Sequence, residues 1–166
     1  MIPANTTDVV CPLWRRLMAL LYDVVAVIAI VMVVGLLCQL ATHGQLIATG
    51  GQVRIAPWYQ PLQALVVAAY FVVSWRRGGQ TLGMRPWRIR VTARNGAQPS
   101  LLQACVRVMT AALPLLLLLL APALGLHVAL WALAATWTVW FAVALFDSRR
   151  RTMHDLAART EIRRIG

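Results

Sequence analysis

The stretch WRRLMALLYDVVAVIAIVMVVGLLCQL, residues 14–40, decides the fold of this chain. Residues 24–38 carry no charge, so Leu17 to Leu40 reads as a membrane span. Asp23 lies inside that run, seven residues after Arg16. A carboxylate at the centre of such a helix costs roughly 2.5–3.5 kcal/mol on insertion scales. Seven residues turn about 700°, which puts Arg16 and Asp23 within about 20° of each other on one helix face. Ala19, between them, keeps that face low. A charge placed there requires a partner.

Working outward, the whole chain has the same character. Of 166 residues 60% are hydrophobic and 13% charged, too apolar for a soluble domain of this size. The length holds three or four membrane helices with short connections and no second folded unit. The net charge of +11 comes from sixteen basic residues, all of them Arg. Most flank apolar runs, as orientation in a membrane demands, so they point to anionic lipid headgroups and away from nucleic acid. Cys11, Cys38 and Cys105 show no paired spacing and imply neither disulfide nor metal site. The first run is also too long, and too charged at Asp23, for a cleavable signal peptide.

Four spans are expected, at about 17–40, 58–75, 101–121 and 126–146. Residues 101–146 form one apolar stretch interrupted only by Arg107, about twice the 20 residues that a span needs. The break belongs at Ala121-Pro122-Ala123-Leu124-Gly125, where Pro and Gly punctuate the helix. Arginines crowd the N-terminal flank, the 76–100 loop and the tail, while the 41–57 loop has only Arg54 and the 122–125 turn none. Both termini and the middle loop are therefore expected in the cytoplasm. Trp14, Trp75 and Trp87 then anchor at the cytoplasmic interface and Trp58 at the outer one. Trp131, Trp137 and Trp140 read as packing or lipid-facing residues.

The 76–100 loop is patterned. Trp87-Arg88-Ile89-Arg90-Val91 alternates with the period of a half-buried strand, and Asn95-Gly96 supplies a turn. The tail carries a helical turn around Met153–Ala158 and a second β-prone piece at residues 160–165. A small cytoplasmic sheet is one reading; an amphipathic segment lying on headgroups is the other. Pro114 in the Leu-rich third span is positioned to kink it.

Arg107 is the second buried charge. It and Asp23 lie roughly 9 Å inside the same face, at about 1.5 Å per residue, and an Asp23–Arg107 ion pair is the simplest way to stabilise both. Asp147 and Asp155 are further partners for Arg16, Arg107 or the loop arginines. Two readings of this network stay open: a clamp that staples helices and tail together, or a cation or proton site at Asp23 gated by Arg107 and Asp155. His154 and Asp155 are adjacent and point about 100° apart, which argues against an acid–base pair. No nucleophile constellation, metal spacing or phosphate loop is present; Gly78-Gly79-Gln80-Thr81-Leu82-Gly83 lacks the Lys of a phosphate loop and reads as a turn leaving the second span. Neither an enzyme nor a cofactor is expected.

Three motifs in order resemble the RDD family of bacterial membrane proteins, named for one Arg and two Asp. They are Arg16 with Asp23 in residues 14–23, Gly79-Gln80-Thr81-Leu82-Gly83-Met84-Arg85, and Asp155 in residues 151–160. Arg107 matches a frequently basic position, and Arg159 stands where the family often has Gly. The resemblance covers residues 13–165 and makes residues 1–166 a single RDD-like domain. It implies a multi-pass protein of the bacterial inner membrane with a role in transport, sodium–proton exchange in at least one case. The resulting expectation is an all-α, four-helix membrane protein with a small β-prone cytoplasmic loop and tail. Its leading function is that of a small transporter, cation/proton antiporter-like, with a monovalent cation or proton as partner and acting as a homo-oligomer; the alternative is a non-transporting membrane accessory or scaffold protein binding a partner through its basic cytoplasmic face.

Overall fold

The computed structural model describes residues 11–48 and 54–165. The chain is mostly helical. Helix α1 (Leu13–Ala41) follows Pro12, whose fixed φ of −66° suits a helix start. Two short strands, β1 (Ile47–Ala48) and β2 (Arg54–Ile55), pair antiparallel beyond its far end, where no sheet was expected. Helix α2 (Tyr59–Gly78) ends at Gly79 in the left-handed conformation. Strand β3 (Ile89–Ala93) leads to α3 (Leu101–Ala112), whose start is closed by a reciprocal Ser100–Gln103 capping box. After α5 (Leu126–Phe146), the tail forms the short helix α6 (Met153–Ala157) and strand β4 (Thr160–Arg164).

The expected third span is composite. It is α-helical to Ala112, tightens into a 3₁₀ helix over Leu113–Leu120, and ends in one turn, α4 (Ala121–Leu124). Pro114, in the first turn of the 3₁₀ segment, withholds the N–H that an α-helix would use there. The break before α5 falls at Gly125, as the sequence indicates. Among the described residues three helical stretches are long and apolar enough to cross a membrane: Leu13–Ala41, Leu101–Leu124 and Leu126–Phe146. Helix α2, on the expected second span, is less apolar because Gln60, Gln63, Arg76 and Arg77 lie at its ends.

Strands β3 and β4 pair antiparallel, with Ile89 opposite Arg164, Val91 opposite Ile162 and Ala93 opposite Thr160. The alternating segment and the tail therefore make a sheet, but the strand lies at Ile89–Ala93, with Trp87 and Arg88 outside it and Arg88 turned to φ +50°; the lipid-lying alternative is set aside. Ile89, Val91 and Ile162 face a core shared with Trp75, Met84, Ala104 and Ala19, while Arg88, Arg90 and Arg94 point outward. This corrects one expectation. Trp75 does not anchor at an interface but is buried, because the sheet folds over the end of α2. Trp87 lies against α1 instead, edge-on to Trp14 (5.4 Å between centroids) and Tyr22 (6.3 Å), with Arg15 donating to its carbonyl at 3.2 Å.

Gly79 joins helix to sheet. Its φ is +70°, its carbonyl accepts the Val91 N–H at 2.7 Å, and a Cβ there would lie 2.7 Å from the Val91 carbonyl oxygen. Its neighbour Gly78 faces open space. Gly79→Ala is expected to destabilise the protein by about 1–2 kcal/mol, whereas Gly78→Ala should be neutral or slightly stabilising. Thermal unfolding in detergent checks this; equal midpoints for the two variants would contradict it.

Candidate functional site

Both buried charges of α1 find partners at the arginine-rich end of the molecule, and the partners differ. Helix α3 packs against α2 and α6, while α1 packs against α2. Residues on one face of α1 thus meet different elements at successive levels: α6 beside Arg16, and the 80–84 loop beside Asp23.

At the first level Asp155 sits between two arginines. Arg16 Nη1 donates to its Oδ2 at 3.0 Å, and Arg107 Nη1 donates to its Oδ1. Asp155 is fully buried, and Arg16 and Arg107 are 4% and 2% exposed. Thr152 closes the carboxylate from the helix start, through its N–H at 3.0 Å and its hydroxyl at 2.8 Å. The sequence reason is local: Thr152 and Asp155 form the capping box of α6, so a five-residue helix presents its acid in a fixed direction. Arg107 also donates to Thr160 Oγ1 at 2.8 Å and lies over the Trp75 ring, 5.0 Å from its centroid. Burial alone would raise the Asp155 carboxyl. The charges of Arg107, His154 and Arg16 and the Thr152 N–H outweigh it and hold the group well below the usual carboxylate range.

At the second level Asp23, 4% exposed, accepts from neutral donors. Thr81 Oγ1 donates to Oδ2 at 2.5 Å; the Gly83 N–H (2.9 Å) and the Tyr70 hydroxyl (3.1 Å) donate to Oδ1. The expected Asp23–Arg107 pair is not made. Equal depth along two helices does not imply facing side chains, and Arg107 is turned to α6. Gly83 explains the Ala19 reading: a Cβ at residue 83 would lie 2.2 Å from the Ala19 carbonyl oxygen and 2.7 Å from Asp23 Cγ. Only a glycine opposite a small residue brings the loop backbone onto the carboxylate. The loop is thus more than the expected turn. Thr81, Gly83 and Tyr70 were not foreseen as partners of Asp23; the Gly-x-Thr-x-Gly spacing was the available signal.

The remaining candidates lie in the tail. Asp147 takes Arg151 in a two-pronged pair (2.9 and 2.8 Å), which together with backbone N–H groups holds its carboxyl far below the ordinary range. Asp147 is thus a local clasp and partners neither Arg16 nor Arg107. His154 packs edge-on to Phe141 (5.9 Å between centroids), tying α6 to α5, and contacts Thr152 Oγ1 at 2.9 Å through Nε2. Thr152 spends its hydroxyl proton on Asp155, so neutral His154 is the Nε2–H tautomer. Burial first, then the field of Arg107, lowers its pKa to about 4. Among the described residues no cluster of three or more His, Cys, Asp or Glu could hold a metal ion.

A helical membrane protein with a buried carboxylate held between two arginines is the class that this fold and site define. The sequence model of the RDD family matches residues 10–159, and the chain belongs to that family. Comparison with functionally described proteins and with solved structures gives no match.

The His154 environment sets a pH dependence. The unfolded chain, with His near 6.5, binds a proton that the folded chain refuses until about pH 4. Stability is therefore full above pH 6.5 and falls as the pH drops towards 4; below that, protonation of Asp155 in the unfolded chain adds a second loss. Unfolding midpoints of the detergent-solubilised protein should decline across pH 6.5–4, and His154→Asn should flatten that window alone. A wild-type profile flat from pH 7 to 4 would contradict the assignment.

Proposed function

We propose that the protein is a four-span inner-membrane transporter with both termini in the cytoplasm, and that Asp23 is the group that takes up and releases charge. One observation carries the reading: Asp23 is buried on a long apolar helix and its hydrogen-bond partners among the described residues are all neutral. The nearby Arg16 and Arg107 each turn Nη1 to Asp155, and neither makes an ion pair with Asp23. A carboxylate with no fixed counter-cation is one whose charge a proton or monovalent cation can neutralise, which is what residues on ion paths do. Charge carrying and clamping are thus assigned to different acids.

The four-span topology is supported by α2. Its 20 residues give a length of about 30 Å, it packs on α1 and α3, and its polar residues lie at its two ends. The exposed arginines 76, 77, 85, 88, 90 and 94 then mark the cytoplasmic face and meet anionic headgroups. Four helices enclose little pathway, so a homo-oligomer is part of the proposal. The same exposed arginines favour a second reading, a scaffold that holds a partner through this face.

Purified protein in liposomes should show cation-dependent proton flux, abolished in Asp23→Asn protein that elutes as a folded, monodisperse species. Flux no greater than that of empty liposomes would overturn the transport reading.

A further inference from the structure

We infer that Asp23 is a proton site and not a metal-cation site, with Oδ2 as the atom that takes the proton and the Thr81 hydroxyl as the group that turns to receive it. This rests on the transport reading and names the ion that its central carboxylate handles.

The two oxygens of Asp23 are unequal. Oδ1 is closed by donors that cannot turn round. The Gly83 N–H at 2.9 Å is backbone, and a backbone N–H only donates. Tyr70 could in principle reverse, but its oxygen accepts the Leu82 N–H at 3.0 Å, which keeps its own hydrogen on Asp23. Loop residues 82 and 83 therefore fix both bonds at once. The partner of Oδ2 is Thr81 Oγ1, and Thr81 is fully buried.

A hydroxyl both donates and accepts. With Asp23 ionised, Thr81 donates to Oδ2. When a proton arrives, it bonds to Oδ2, the new O–H points at Oγ1, and the Thr81 hydrogen rotates off the carboxylate. One O–H bond forms and none in the protein breaks. The hydrogen bond is kept with its direction reversed, at the cost of a buried Thr81 hydroxyl hydrogen with no other acceptor among the described residues.

A metal cation makes the opposite demand. It needs oxygen lone pairs converging on it, and hard cations take several. Here Gly83, Tyr70 and Thr81 all turn hydrogens toward the carboxylate. The neighbouring charges do not alter this. On α1, Arg16 is bound to Asp155; on α3, Arg107 is bound to Asp155 and Thr160. On α2 the facing titratable group is Tyr70 itself, and in the loop Arg85 is exposed, its field reaching Tyr70.

Infrared difference spectroscopy on the full-length protein in liposomes, stepping the pH, tests the assignment. The carbonyl stretch of a protonated carboxyl should appear on acidification and be missing in Asp23→Asn. It should persist in Thr81→Ser and move to higher frequency in Thr81→Val, where the carboxyl O–H has lost its acceptor. Saturating sodium or potassium should leave it unchanged. If Asp23→Asn does not fold, the contrast between Thr81→Ser and Thr81→Val still assigns the band. Suppression of the band by either cation, or a band indifferent to Thr81→Val, would overturn the inference. A Thr81-dependent band in a protein without flux would uphold the proton site and remove the transport reading.

Discussion

The carboxylate of Asp155, fully buried between Arg16 and Arg107, is the interaction on which the arrangement of this molecule depends. It joins residues 139 positions apart in one direction and 48 in the other, and so ties the tail to α1 and α3 together. Burying any one of these charges alone would cost several kcal/mol. Assembled, with Thr152, Thr160 and the Trp75 ring around them, they hold α6 against α1 and α3. Such a clamp acts more through specificity than through net stabilisation: a hydrophobic replacement could be as stable, but it would not fix which elements are neighbours.

That placement reaches Asp23 through a continuous set of backbone contacts. Helix α6 runs into β4, and β4 pairs with β3 over five residue pairs. Strand β3 is bonded to the end of α2 by the Val91 N–H on Gly79 (2.7 Å) and by Gln80 Nε2 on the Ile89 carbonyl (2.8 Å). Thr81 and Gly83 follow directly, with the Met84 N–H on the Thr81 carbonyl at 3.2 Å. The loop that closes over Asp23 is therefore held by the same sheet that the tail completes. Two buried carboxylates share a scaffold while differing in kind: one compensated by fixed positive charge, the other held only by neutral donors.

Much of this was legible in the sequence where a local rule governs. The alternation at 87–91 and the β-prone tail gave the strands, and Pro122 with Gly125 gave the break before α5, because period and punctuation are properties of short segments. The membership of Arg16, Asp23, Arg107 and Asp155 in a buried charge set was readable because charges in apolar runs are conspicuous. Their pairing was not. Asp23 was expected on Arg107 because depth along a helix can be counted, but facing depends on which helices touch. Thr81, Gly83 and Tyr70 escaped because neutral donors leave no trace in a charge pattern. Arg159 shows the reverse case: an arginine takes the left-handed conformation, at φ +52°, that glycine adopts most easily.

The two carboxylates belong to separate centres, and a pair of double-mutant cycles measured by unfolding in detergent can tell them apart. This arrangement predicts a coupling of about 1–3 kcal/mol between Arg107→Ala and Asp155→Asn. It predicts additivity, within about 0.5 kcal/mol, between Arg107→Ala and Asp23→Asn. Strong coupling of Arg107 to Asp23, with none to Asp155, would contradict it.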